Sequence, residues 1–122
     1  MLAADDDADI LRLVEVNLKL EGFQVVTARD GADALAKAIA VRPDLILLDV
    51  LMPGINGYAV CAQIRADEDL ADVPVIMLTA NFISADAEAA RRAGASDFVV
   101  KPFDPAVLIA KVKALLGSGR AG

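Results

Sequence analysis

The sequence predicts an α/β fold in which a parallel sheet of five strands is covered by helices on both faces. Short apolar runs alternate with longer amphipathic segments, and five such pairs fit into 122 residues. With 57% hydrophobic residues, the chain has enough apolar material for a core. Alternating strands and helices of this length form parallel sheets through helical crossovers. We expect one domain over residues 1–117, followed at 118–122 by a disordered tail or the start of a linker.

Five apolar runs have the lengths and the β-branched content that are typical of buried strands. They are Leu2–Ala4, Gln24–Ala28, Leu45–Asp49, Val75–Thr79 and Asp97–Val100. The first run is short and rich in alanine, so its assignment depends on the other four.

The first three helices are predicted from apolar spacing and from capping residues. In the first helix one face carries three apolar side chains, Leu11, Val14 and Leu18. Asp30 is expected to cap the second helix, which should run from about Gly31 to Ala40. The third helix is expected from about Gly57 to Ala66.

Charges and glycines indicate where the last two helices begin and end. The fourth helix should start at Ser84 and end with Arg91 and Arg92 before Gly94, since basic residues favour a helix C-terminus and glycine its cap. In the fifth, Asp104 is the expected cap, and Gly117 should end the helix. Its predicted buried face consists of Leu108, Val112 and Leu115.

Net charge and composition narrow the possible partners. The charge is −6 and there is no histidine, so a nucleic acid is not expected as a direct partner of this domain, whereas basic proteins and metal cations are. The single cysteine, Cys61, cannot form an internal disulfide and is expected in the core. No secretion signal or membrane-spanning run is visible, so we expect a cytoplasmic protein without membrane contact.

Four of the predicted strands end in groups with complementary chemistry. The first is followed by Asp5, Asp6 and Asp7, the third ends in Asp49, the fourth in Thr79, and the fifth is followed by Lys101. Because open α/β sheets place their sites at the carboxyl ends of strands, these groups should meet at one edge. Clustered carboxylates favour a hard divalent cation, and Mg²⁺ prefers oxygen ligands.

This set of groups suits phosphoryl transfer. A magnesium ion beside a carboxylate can hold a phosphoryl donor while the carboxylate attacks phosphorus. Thr79 and Lys101 would supply a hydroxyl and a positive charge to the transferring oxygens. Each residue alone has an ordinary explanation, such as helix capping for Asp5–Asp7 or a surface charge for Lys101. Their occurrence at four strand ends favours a shared site.

Four segments of the sequence resemble the receiver domains of bacterial response regulators. They are the acidic run after the first strand and the segments Pro43–Gly57, Val73–Ala80 and Gly94–Phe103. The resemblance covers roughly Leu2 to Leu116. It implies a single flavodoxin-like (βα)5 fold with strand order 2-1-3-4-5, as in a chemotaxis regulator of this family.

The resemblance also implies a role for each matching residue. Asp49 matches the phosphoacceptor, Asp6 the direct metal ligand and Asp5 the acid that binds the metal through water. The main-chain carbonyl of Leu51 matches the third protein ligand of the magnesium ion.

Three further matches concern the switch. Thr79 matches the hydroxyl that closes onto the phosphoryl group, Lys101 the cation that pairs with it, and Phe98 the aromatic residue that changes rotamer. A cis bond is implied between Lys101 and Pro102.

The implied function is that of a signalling switch rather than an enzyme. Asp49 would accept a phosphoryl group from the phosphohistidine of a histidine kinase or a phosphotransfer protein. The surface formed by the fourth helix, fifth strand and fifth helix would then signal to an output domain or partner protein, with homodimerisation on phosphorylation as one possibility.

Three alternatives remain open at this point. A phosphatase with an aspartate nucleophile would need a second aspartate two residues after Asp49, where Leu51 stands. A flavin-binding module would need a phosphate loop after the first strand, and that loop is triply acidic. A degenerate receiver that serves only as a docking scaffold is disfavoured by the intact set of Asp5, Asp6, Asp49, Thr79 and Lys101.

Overall fold

The structure, a computed structural model, describes residues 1–79 and 84–120, and within these ranges it leaves out the side chains of residues 84–87 and 117–120. Ala80, the last residue of the Val73–Ala80 segment, therefore lies outside the described residues, as do Ala121 and Gly122. Within the described ranges no helix is both long enough and apolar enough to cross a membrane.

A single parallel sheet of five strands forms the centre of the fold. The strands are β1 (Leu2–Ala4), β2 (Val26–Ala28), β3 (Ile46–Asp49), β4 (Val75–Thr79) and β5 (Asp97–Val100). Their order is β2-β1-β3-β4-β5, which confirms the predicted order. Because every neighbouring pair is parallel, all five carboxyl ends lie along one edge.

Two strands begin later than the sequence predicts. β2 starts at Val26 rather than Gln24, because the carbonyl of Gln24 accepts a hydrogen bond from the ammonium group of Met1 at 2.8 Å and is not paired in the sheet ladder. β3 starts at Ile46, although the carbonyl of Leu45 still accepts a bond from the amide of Leu2 at 3.0 Å.

Five helices connect and follow the strands. They are α1 (Ala8–Leu20), α2 (Gly31–Val41), α3 (Gly57–Ala66), α4 (Ser84–Ala93) and α5 (Pro105–Arg120). Asp30 caps α2 by accepting a hydrogen bond from the amide of Asp33 at 2.7 Å, and Asp104 accepts one from the amide of Ala106 at 2.9 Å. Both predicted caps are confirmed.

The predicted end of α5 at Gly117 is wrong, because the helix continues to Arg120. A glycine inside a helix costs only about 1 kcal/mol relative to alanine. A helix that is already anchored by Leu108 and Val112, both fully buried, can continue past such a residue. Residues 118–120 of the predicted tail are therefore helical.

The core has two parts, one on each face of the sheet. On one face, side chains of α2, α3 and α4 pack together, including Ala38, Ile64 and Ala90. On the other, α1 and α5 contribute Leu11, Val14, Leu18, Leu108, Ile109 and Val112. The predicted covering of both faces is confirmed. Cys61 is fully buried, as expected, and burial raises the pKa of its thiol, so the residue behaves as a small apolar side chain.

Arg65, near the end of α3, joins the turn after α4 to the loop that precedes β4. Its Nε donates to the carbonyl of Gly94 at 2.8 Å, and its Nη1 donates to that of Val73 at 2.6 Å. The same Nη1 also lies within hydrogen-bond distance of the carbonyls of Leu70 and Ala71. One guanidinium group therefore satisfies main-chain oxygens from two separate loops.

Candidate functional site

Three carboxylates meet at the carboxyl edge of the sheet, as the sequence predicts. β1 and β3 are adjacent and parallel, with Ala4 opposite Leu48, so Asp5 and Asp49 lie side by side. Asp6 follows in the loop to α1. One carboxylate oxygen from each of Asp5, Asp6 and Asp49 lies within 4.8 Å of the others.

The three acids differ in their exposure to solvent. Asp5 is 1% exposed and Asp49 is 5% exposed, whereas Asp6 is open to solvent. Buried carboxylates are costly unless they are paired or bound to a metal. Oδ1 of Asp5 accepts a hydrogen bond from the amide of Asp7 at 2.9 Å, and Oδ2 is paired with Lys101.

Asp7 caps a helix, which is the ordinary explanation considered above for the acidic residues after β1. Its carboxylate accepts hydrogen bonds from the amides of Asp9 and Ile10 and so caps α1. Helix capping therefore accounts for Asp7 but not for Asp5 or Asp6, whose carboxylates turn towards Asp49.

Lys101 bridges the two buried acids. Its Nζ lies 2.8 Å from Oδ2 of Asp5, as an ion pair, and 3.0 Å from Oδ1 of Asp49. Its amide donates to the carbonyl of Thr79 at 2.7 Å, and its bond to Pro102 is cis, as predicted. Burial alone would lower the pKa of Lys101, but its contacts with Asp5 and Asp49 outweigh burial and raise it. The lysine is therefore charged at neutral pH.

The Asp49 carboxyl group is a weaker acid than usual in the metal-free protein. Its pKa is raised from 3.8 to about 6, mainly by burial and also by the negative charge of Asp5, although the hydrogen bond from Lys101 acts to lower it. A second cation beside Asp49 would favour the ionised, nucleophilic form of the carboxylate.

The donor set fits a hard divalent cation. Three carboxylate oxygens converge within 4.8 Å, and together they carry more negative charge than the ammonium group of Lys101, which pairs with Asp5 and Asp49, can balance. Mg²⁺ takes oxygen ligands and retains several waters, so one exposed and two buried carboxylates suit it.

The other predicted site residues lie around this cluster. Thr79 is the last residue of β4, 7% exposed, on the strand next to Asp49. Phe98 lies in β5 opposite Met77 and is half-buried. Leu51 lies in the loop after β3 with a side chain that is 69% exposed. Asp49 and Lys101 are thus in contact, whereas Phe98 belongs to the sheet beside the site.

Two residues that contribute to the site were missed by sequence reasoning. A Cβ atom at Gly57 would overlap the main-chain carbonyl oxygen of Asp49 and come 2.8 Å from Cε of Met77, so only glycine lets α3 start this close to the site. Arg29 donates through Nη2 to the carbonyl of Asp6 at 3.2 Å. Gly57 is the last residue of the segment Pro43–Gly57 that resembles receiver domains, so its importance could have been noticed. A single arginine after β2 has no sequence feature that indicates a contact with Asp6.

Comparison with known proteins agrees with the fold. A family model described as the response regulator receiver domain matches residues 1–113. The chain therefore belongs to the response regulator receiver domain family, and it is a receiver domain of the two-component type.

Curated relatives are transcriptional regulators. The chain is 48% identical over 116 residues to the transcriptional regulatory protein PrrA of Mycobacterium tuberculosis, an alignment that covers 95% of this chain and 49% of PrrA. It is 43% identical to the DNA-binding dual master transcriptional regulator RpaA of Synechocystis, with 95% of this chain and 48% of that protein covered. The chain spans about half the length of these relatives.

Solved structures show the same fold over nearly the whole chain. The chemotaxis protein CheY4 of Vibrio cholerae superimposes with a TM-score of 0.89 at 34% identity, covering 93% of this chain and 94% of CheY4. The receiver domain of the Francisella response regulator 1452 gives a TM-score of 0.90 at 28% identity, with 97% and 96% covered.

Proposed function

We propose that Asp49 is the phosphoryl acceptor of this receiver domain. The observation that carries the proposal is its position: a nearly buried carboxylate lies at a strand end, 3.0 Å from an ammonium group and within 4.8 Å of two further carboxylates. An oxygen of Asp49 attacks phosphorus and forms a P–O bond. The bond between phosphorus and the donor's histidine nitrogen breaks, and the leaving imidazole keeps that electron pair.

Asp6, Asp49 and the main-chain carbonyl of Leu51 are the proposed direct ligands of a magnesium ion, and Asp5 is the proposed acid that binds the ion through water. When bound, the ion supplies positive charge that neutralises the phosphoryl oxygens. The negative charge of three converging carboxylates, which the ammonium group of Lys101 balances only in part, supports this assignment. The exposed carboxylate of Asp6 can exchange water for the ion without any change in the core.

Lys101 and Thr79 are the proposed contacts of the transferred group. Lys101 already pairs with Asp49 in the unphosphorylated domain, so its charge is in place where negative charge develops. Thr79 ends the neighbouring strand, and its hydroxyl is the proposed hydrogen-bond donor to the phosphoryl oxygens. Phe98 lies on β5, and it is the proposed aromatic residue that changes rotamer when the domain is phosphorylated. Its movement would alter the surface formed by α4, β5 and α5.

The donor and the output belong to the same proposal. The donor is the phosphohistidine of a histidine kinase or a phosphotransfer protein, and the recipient of the signal is an output domain or a partner protein. The relatives are transcriptional regulators, and the alignment covers about half of each. This supports an output that controls transcription. Phosphorylation-dependent homodimerisation and the cytoplasmic location expected from the sequence complete the proposal.

In this role the domain is a switch and does not turn over external phosphate esters. Leu51 occupies the position at which an aspartate-based phosphatase needs an acid, and a leucine side chain cannot protonate a leaving group. The domain is therefore expected to carry one phosphoryl group and to lose it slowly.

Intact-mass spectrometry after incubation with acetyl phosphate tests the proposal. Wild-type protein with Mg²⁺ should gain one phosphoryl group, whereas Asp49→Asn should gain none. Asp72→Asn, which changes an exposed aspartate, should behave as wild type, and chelation of Mg²⁺ should prevent labelling. Equal labelling of Asp49→Asn and wild type would exclude Asp49 as the acceptor.

A further inference from the structure

We infer that Arg29 is a positioning residue for the proposed metal site and acts through the main chain of Asp6. This inference rests on the proposed function, since it concerns how one of the proposed ligands is held. Arg29 lies immediately after β2, on the strand beside β1. Its Nη2 donates to the carbonyl oxygen of Asp6 at 3.2 Å.

The acidic loop needs an external contact of this kind. Asp5 is anchored by burial and by its bond to the amide of Asp7, and Asp7 is anchored as the cap of α1. Asp6 lies between them with an exposed carboxylate. Among the described residues, Arg29 is the side chain from outside the loop that bonds to the main chain of Asp6.

Electrostatic repulsion makes this contact useful. The carboxylate of Asp6 lies within 4.8 Å of the oxygens of Asp5 and Asp49, and like charges at that distance repel. An exposed aspartate is free to relieve this repulsion by turning into solvent. The hydrogen bond from Arg29 to the main-chain carbonyl of Asp6 restricts the backbone of Asp6. The side chain then extends from a fixed position beside the cluster, so less ordering is needed when the metal binds.

The main chain of β2 supports the same geometry. The amide of Asp5 donates to the carbonyl of Ala28 at 3.1 Å, which fixes the residue before Arg29 against the residue before Asp6. The residues that precede Arg29 and Asp6 are therefore hydrogen-bonded to each other. The contact of the Arg29 guanidinium group with Asp6 continues this pairing beyond the ends of the strands.

The charge of Arg29 acts in the opposite direction to its hydrogen bond. A cation near the site repels Mg²⁺, so its removal alone would tighten metal binding, and this effect is screened by salt over about 3 Å at 1 M ionic strength. Loss of the hydrogen bond would weaken Mg²⁺ binding, and this weakening would remain at high salt. Salt therefore separates a positioning role from a role of charge alone.

The test is a calorimetric titration of the whole chain with MgCl₂ at low salt and at 1 M KCl. At 1 M KCl, Arg29→Met should bind Mg²⁺ about three- to tenfold more weakly than wild type, the factor that loss of one such hydrogen bond gives. At low salt the difference should shrink. Arg12→Met, which removes an exposed cation from α1, should match wild type at 1 M KCl, and Arg29→Lys should recover part of the affinity.

The outcomes distinguish this inference from the proposed function. If wild type binds no Mg²⁺, the proposed metal site itself fails. If wild type binds Mg²⁺ and Arg29→Met matches it at 1 M KCl, or binds more tightly at both salt concentrations, the metal site stands and Arg29 is not a positioning residue. Amide spectra of the Arg29→Met variant check that changes are confined to the loop of Asp6 and its neighbours.

Discussion

The ammonium group of Lys101 lies between the carboxylates of Asp5 and Asp49, 2.8 Å from one and 3.0 Å from the other. The same two carboxylates are proposed to hold the metal ion, Asp49 directly and Asp5 through water. A metal ion held by these groups would compete with the lysine for the same negative charge, so each cation would reduce the affinity of the site for the other.

Replacement of Lys101 should make Mg²⁺ bind more tightly. In Lys101→Met the carboxylates lose their fixed cation, so the metal meets less repulsion, and we expect affinity to rise about three- to tenfold. Labelling by acetyl phosphate should nevertheless fall, because the phosphoryl oxygens lose a positive charge. Calorimetry measures the first effect and intact mass the second. Lys113→Met, in which an exposed lysine that pairs with Glu21 is replaced, is the matched control; weaker Mg²⁺ binding by Lys101→Met would show that the two cations do not compete.

Asp49→Asn should stabilise the metal-free protein at neutral pH. The pKa of Asp49 rises from 3.8 to about 6 on folding, mainly through burial. The folded state therefore holds its proton more strongly, and stability falls as the pH rises from about 4 to about 6. Asparagine does not ionise and so does not suffer this loss. The free energy of unfolding of Asp49→Asn should therefore exceed that of wild type by about 3 kcal/mol above about pH 6, and the difference should disappear below about pH 4.

Urea unfolding in the presence of a chelator, followed across this pH range, measures the effect. Asp72→Asn changes an exposed aspartate and should show no such pH-dependent gain. A gain for Asp49→Asn that is the same at pH 4 and pH 8 would contradict the assignment of the penalty to ionised Asp49.

Gly57→Ala should damage the site from the main chain. The new Cβ would overlap the carbonyl oxygen of Asp49 and crowd Cε of Met77, so either α3 or the end of β3 must move. We expect a loss of about 1–3 kcal/mol of unfolding free energy, together with weaker Mg²⁺ binding. Ala62→Ser adds one atom on the exposed side of the same helix; it should leave Mg²⁺ binding unchanged and cost no more than about 0.5 kcal/mol through helix propensity. Normal metal affinity in Gly57→Ala would show that the close approach does not position Asp49.

Arg65→Met should be among the more destabilising substitutions outside the core. It leaves the carbonyls of Val73 and Gly94 without their shared donor, and we expect a loss of roughly 2–3 kcal/mol. Arg92→Met removes an exposed arginine that pairs with Glu88 and should cost less than about 1 kcal/mol. Urea unfolding compares the two, and equal values would mean that the Arg65 contacts contribute no more than a surface ion pair.

The features that the sequence predicts most accurately are those that depend on the local pattern of apolar and polar residues. β1, β4 and β5 were predicted to the residue, because short apolar runs between polar or loop-forming segments are typical of buried strands. The end of α5 was not, since a single glycine costs too little to stop a well-packed helix. Asp49 and Lys101 could be placed together because parallel strands bring their carboxyl ends to one edge.

The missed residues act through contacts that leave no local pattern. An arginine near the end of a helix, such as Arg65, has the same sequence signature whether it faces solvent or binds distant carbonyls. Arg29 contacts Asp6, 23 residues earlier in the chain, and Gly57 depends on the way the loop after β3 turns back onto Asp49, so only the tertiary structure defines either contact.

Reductive trapping of the phosphorylated protein tests the central claim most directly. Borohydride converts an aspartyl phosphate to homoserine, and peptide mass spectrometry locates the converted residue. After incubation with a phosphohistidine donor and Mg²⁺, we predict homoserine at position 49 and at no other aspartate. Conversion at Asp5, Asp6 or another aspartate, or a phosphorylated protein in which position 49 remains aspartate, would contradict the account.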